Sequence, residues 1–165
     1  MLALVSKAAN RLEKSEEVER ELWVNASDFL KNFADKCHHA KEEKLLFVKM
    51  MERGVSGEVG PIAVMLREHE DGRAHVRRIA DLSAGELGKK DSLELIKHTR
   101  GYVELLTQHI QKEDHILYPM ANQILTPDDQ EYLREGFEKV EEEIMGQGTH
   151  ERYHKMLEEW EAKLS

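Results

Sequence analysis

The sequence has one cysteine, three prolines and ten glycines in 165 residues, and Phe, Trp and Tyr together make up only 6%. A lone Cys37 excludes an intramolecular disulfide and points to a reducing cytosol. Its thiol reads as a small buried hydrophobe rather than a reactive nucleophile. So few helix breakers predict long helices and exclude an all-β fold. No apolar run is long enough to cross a bilayer. The opening Met-Leu-Ala-Leu-Val-Ser-Lys holds too short an apolar run for a signal peptide core. Asn25-Ala26-Ser27 fits a glycosylation acceptor by letter alone. Positive charge is scarce as well: Lys+Arg is 24 against Asp+Glu 33, a formal charge of −9. Such a surface repels phosphate backbones, so nucleic acid is not an expected partner.

What is present is a hydrophobic share of 40%, too high for a disordered chain, and nine histidines. The length suits one domain with a buried core. Apolar residues recur at helical spacing throughout. Leu2, Val5, Ala9 and Leu12 predict a helix over 1–14, and Ser15 is placed to cap the next. That second helix is expected from Glu16 to about Arg53, through Leu22, Phe29, Phe33, Leu45, Leu46 and Met50. Gly54, Gly57 and Gly60 mark a loop, and Pro61 opens a third helix running to about Gly85. A fourth is expected from about Asp91 to Ile124, kinked near Pro119. Thr126-Pro127-Asp128-Asp129 is a helix start, and the fifth helix ends near Gly146. The sixth begins at about His150, with Tyr153, Leu157, Trp160 and Leu164 on one stripe. The predicted fold class is all-α. It is an up-down four-helix bundle over about 1–125, with C-terminal helices over about 127–164 packed on it in a single domain.

Two segments repeat one pattern: His38-His39-Ala40-Lys41-Glu42-Glu43-Lys44-Leu45-Leu46-Phe47, and His109-Ile110-Gln111-Lys112-Glu113-Asp114-His115-Ile116-Leu117-Tyr118. On a helix, His at i and Glu at i+4 differ by about 40° and one turn, so their side chains converge. Imidazole with carboxylate makes a site for iron, zinc or manganese. One such pair is weak, whereas two with matching flanks are a strong signal. His69 and His109 lie about equally far from the break near residue 89, and His38 and His69 balance around the Gly54–Gly60 loop. His38, Glu42, His69, His109 and Glu113 can therefore meet in one layer. Solvated surface histidines would produce that register only by accident.

These residues resemble the hemerythrin-like family, in particular its HHE-type members. The resemblance rests on His38 with Glu42, on Arg67-Glu68-His69 through Arg73, and on His109 with Glu113 and Leu117-Tyr118-Pro119. It implies a four-helix bundle with two non-haem irons, bridged by Glu42 and Glu113 and capped by imidazoles. An open position on one iron could take O2 or a related small diatomic or peroxide ligand. Three functions are then in competition: O2 binding, sensing or iron handling; a di-iron enzyme such as a peroxidase or a nitric-oxide-linked repair protein; and a metal-free interaction bundle. The enzyme reading rests on analogy alone.

The pattern departs from the family at the first helix, which carries no His. About 14 residues span only about 21 Å, while the site is about 33 Å from the first turn. The first helix is thus expected to be shortened, Met1 aligning with the middle of a longer one. A possible homodimer would cover the faces so exposed. Where oxygen carriers have a further His, this sequence has Arg73, read either as paired with a ligating carboxylate or as reaching the surface. His39 could supply the lost imidazole or sit at the rim. Tyr102 is read as lining a cavity or as core. His115 is read as surface, the pair His150 and His154 as surface or packing with metal binding or cover of the open bundle end as the alternative, and His75 carries no assigned role.

Overall fold

The computed structural model describes residues 1–146 and 148–164, except the side chain of His150. The described residues form six helical rods. The first is α1, Leu2–Glu13. The second joins α2, Arg20–Phe29, to α3, Phe47–Glu52, through π-helical turns at Leu30–His39 and Glu42–Leu46. The third is α4, Pro61–Ser83. The fourth joins α5, Lys89–Lys112, to α6, Tyr118–Ile124, through a π segment at Glu113–Leu117. The last two are α7, Pro127–Met145, and α8, Thr149–Lys163. No strand occurs among the described residues, and none of their helices is long and apolar enough to cross a membrane. The architecture is an all-α bundle with a short first helix and two added C-terminal helices.

Ser15 does not start a helix; it ends one. Its φ of 61° is left-handed, the amide of Ser15 bonds the Leu12 carbonyl, and that of Glu16 bonds the Arg11 carbonyl. This is the double closure usually built on glycine, and it delays the next helix to Arg20. Thr126 behaves as the sequence predicts. Its hydroxyl accepts from the Asp129 amide while the Asp129 carboxylate accepts from the Thr126 amide. Arg53 then grips that carboxylate through two hydrogen bonds of 2.8 and 3.0 Å.

α5 packs on α4 and on α1, and α2 packs on α4. Their first shared core holds Leu4, Val5, Ala8, Ala9, Leu22, Trp23, Ile79, Leu95 and Tyr102, joined by Trp160 and Leu164 of α8. A second core, at the other end, holds Leu46, Phe47, Met50, Ile62, Met65, Leu117 and Ala121, with Leu133 of α7. α7 runs antiparallel along the second rod. Successive contacts are Arg53 with Asp129, Lys49 over Tyr132, Leu45 against Gly136, and Lys41 with Glu141. A Cβ on Gly136 would stand 2.9 Å from Leu45, so the glycine permits this approach. Between the two apolar cores lies a polar layer.

Candidate metal centre

The polar layer is built from three rods. The second rod supplies His39 and Glu42, α4 supplies His69, and the fourth rod supplies His109 and Glu113; all five are buried. One ligand atom from each of Glu42, His69, His109 and Glu113 lies within 4.8 Å of the others, and the same holds for His39, His69 and His109. His69 Nε2 stands 3.2 Å from His109 Nε2 and 3.3 Å from Glu42 Oε2, and His109 Nε2 is 3.0 Å from Glu113 Oε1. Atoms bound about 2.1 Å from one ion at tetrahedral or octahedral angles stand about 3.0–3.4 Å apart. The spacing fits.

The outer nitrogens explain why the inner ones face each other. His69 Nδ1 is 2.6 Å from Glu43 Oε1, and His109 Nδ1 is 2.9 Å from Glu68 Oε2. Each carboxylate accepts a hydrogen bond from Nδ1–H, which favours the neutral tautomer with its Nε2 lone pair directed inward. In that tautomer two imidazole lone pairs converge on two carboxylates. Among the described residues, Glu42 Oε2 and Glu113 Oε1 are buried and face only imidazole nitrogens, at 3.3 Å from His69 and 3.0 Å from His109. Such an arrangement repels itself unless a cation joins it. In the metal-free chain a proton serves in part. Burial pushes the His109 imidazole down, but hydrogen bonds to Glu113 and Glu68 outweigh it and hold its pKa above the ordinary value. Burial likewise pushes Glu113 up, and His109 and His38 reverse it to well below the carboxylate range.

His38 and His39 divide differently from a regular helical register. His39 is 4% exposed and its ring stacks on His69, with centroids 3.9 Å apart. The His38 side chain is 46% exposed, with Nε2 3.5 Å from Glu113 Oε1 and 3.8 Å from Glu42 Oε2. The cause is the π-helical stretch. Each such turn takes an extra residue and rotates the stripe, bringing His39 inside and leaving His38 at the rim. Burial lowers the His39 pKa, while the hydrogen bond to Glu113 raises that of His38.

Arg73 pairs with carboxylates other than those in the cluster. It donates to Asp35 at 2.6 Å, to Glu43 at 2.7 Å and to Glu70 at 2.7 Å. Asp35 lies 3.6 Å from His39 Nδ1 and Glu43 holds His69, so one guanidinium braces the partners of two histidines. Lys112 braces the third, donating to the Glu68 that holds His109. The Tyr118 hydroxyl donates to Glu42 Oε1 at 2.8 Å and fixes that carboxylate. Glu43, Glu68 and Asp35 went unnoticed as site residues in the sequence. Their signal was present: Glu43 and Glu68 adjoin Glu42 and His69, and Asp35 precedes His39 by one turn.

Tyr102 is both core and cavity wall. A cavity of about 560 Å³ runs between α2 and α4 from Ser83 to His39, with Val24, Leu30, Val76, Gly72 and Tyr102 in its wall. His115 is exposed and bonds its own helix at the Gln111 carbonyl. His154 is exposed, and the expected His150 partner lies outside the described side chains. Cys37 is buried, and burial raises its thiol pKa.

Fold and layer together define a class: helical bundles that hold a cation between buried histidines and glutamates of opposed helices. The model of the hemerythrin HHE cation-binding domain matches residues 1–121, and the chain belongs to that family. No curated protein and no solved structure matches the chain.

Proposed function

We propose that this chain binds iron as a two-ion centre and uses it to bind or sense O2 or to handle iron. One observation carries the reading: two inward Nε2 atoms, each backed by an outer glutamate, meet two buried carboxylate oxygens that, among the described residues, no protein donor other than imidazole approaches. Glu42, His69, His109 and Glu113 form the first donor set. His39 and His38 would supply imidazole donors for a second ion beside Glu42 and Glu113. Imidazole with carboxylate suits iron in both its common states. When bound, iron supplies one-electron redox change and affinity for small diatomic ligands. The protein's own residues do the rest. Glu43 and Glu68 fix the histidine tautomers, Arg73 and Lys112 hold those glutamates, and Tyr118 orients Glu42. The cavity ending at His39 gives a small ligand a path, and the buried Cys37 suits a reducing cytosol.

The test is anaerobic loading with ferrous iron, followed by metal analysis. About two irons per chain are expected, with a new near-visible absorption band on adding O2 or peroxide. His69→Ala combined with Glu113→Ala should abolish both. A chain that holds no iron, or whose doubly substituted form holds as much, contradicts the reading.

A further inference from the structure

A second pair of histidines joins α4 to α5 outside the polar layer. His75 Nδ1 and His98 Nδ1 stand 3.2 Å apart across the seam, and both residues are partly buried. They lie six and eleven residues from His69 and His109, or about 9 and 16 Å along the two helices. Gly101 makes the room: a Cβ there would be 2.5 Å from His75 Cε1. Glu94 Oε2 lies 3.7 Å from His98 Nε2, on the far side of the ring. The two Nδ1 atoms share one hydrogen bond, so at least one of them carries a lone pair into the seam, and the charge of Glu94 favours His98 Nδ1 in that role. The main centre is braced more tightly, with Glu43 and Glu68 hydrogen-bonded at 2.6 and 2.9 Å behind their rings.

We infer that His75 and His98 form a separate two-imidazole site for a divalent transition cation of the zinc or copper type. The 3.2 Å separation is that of two nitrogens bound to one ion about 2.1 Å from each. Burial pushes the His98 pKa below its ordinary value, reinforced by His75 and Arg78, which favours the neutral ring that a cation needs. Arg78 and Lys97 oppose a cation, but their side chains are exposed and water screens them. Solvent fills the remaining positions. Such an ion would pin α4 to α5 without touching the main centre.

The experiment is calorimetric titration of the iron-loaded chain with zinc chloride. One zinc beyond the iron is expected, with two imidazoles in its X-ray absorption spectrum. His98→Ala should remove that zinc and leave the iron content unchanged, and His75→Asn should do the same should the first variant fold poorly. Glu94→Ala, which keeps both rings, should weaken zinc about tenfold or more. The same titration on a chain carrying His69→Ala and Glu113→Ala should still show this zinc, which separates it from the main centre. Absence of the additional zinc, or its survival in both histidine variants, overturns the inference.

Discussion

At one end of the bundle Leu4, Val5, Ala8 and Ala9 of α1 meet Leu22, Trp23, Ile79 and Leu95. At the other, Leu133 of α7 meets Leu46, Phe47, Ile62, Met65 and Leu117. Both cores are apolar and closed, but different helices complete them: α1 with Trp160 of α8 in the first, α7 in the second. α1 is 12 residues long and serves only the first. The second rod is flanked beyond it by α7, which is tied on through Arg53 and Asp129. The polar layer lies between the two cores, where one flanking helix gives way to the other. That handover leaves His38 half-exposed while His39, Glu42, His69, His109 and Glu113 are buried. The layer is thus closed by apolar cores above and below and reaches solvent at His38.

Substitutions can separate the two cores. Trp23→Ala in the first is expected to cost about 3–5 kcal/mol of stability in denaturant titration, with iron content unchanged. Phe47→Ala in the second should cost a similar amount and also weaken iron binding, because Phe47 stacks against His69 at 6.0 Å. Equal loss of iron in both variants would mean that the cores do not differ in their hold on the layer.

Arg73→Met sharpens the comparison within the layer. It leaves Asp35 and Glu43 without their shared cation, and metal affinity should fall about 10–100-fold by competition with a chelator. Unchanged affinity would show that the histidines hold their orientation unaided.

Acid should act on the layer before it acts on either core. The His38 and His109 pKa values are raised in the metal-free chain, so protons compete for their nitrogens from above the ordinary imidazole value of 6.5. Metal affinity should therefore fall as pH drops through that region, by up to about tenfold per unit for each proton displaced. Linkage in the metal-free chain has the opposite sign for these two groups. Their contribution to stability is present below pH 6.5 and is lost as pH rises through the raised values. A flat affinity profile between pH 5 and 8 would remove the histidines from the ligand set; the range is on the order of that in which imidazoles titrate.

The smallest expected effect is at the α7 start. Thr126→Ala removes one cap hydrogen bond and should cost about 1 kcal/mol, with no change in iron content. A larger loss, accompanied by loss of iron, would make α7 part of the centre rather than its cover.

Much of this was legible in the sequence. The two His-x-x-x-Glu pairs keep their spacing because one turn of any helix brings i and i+4 to one side. Pro61 and Thr126-Pro127 announce helix starts through local chemistry. Two features were not legible. π-helical turns have no signature in the hydrophobic pattern, so a regular register leaves His39 between the interior and the rim and does not show His38 turned outward. The bracing of His69 by Glu43 and of His109 by Glu68 crosses between helices, and spacing along one helix does not show it. The left-handed Ser15 was hidden for a simpler reason: serine suits a helix start better than a helix end.

The most direct test is a crystal of the iron-loaded chain measured on both sides of the iron absorption edge. The expected result is an anomalous peak within about 2.0–2.3 Å of His69 Nε2, His109 Nε2 and the Glu42 and Glu113 carboxylates, with a second toward His38 and His39. An empty layer after loading, or a peak elsewhere in the bundle, would contradict the assignment of this cluster as the metal centre.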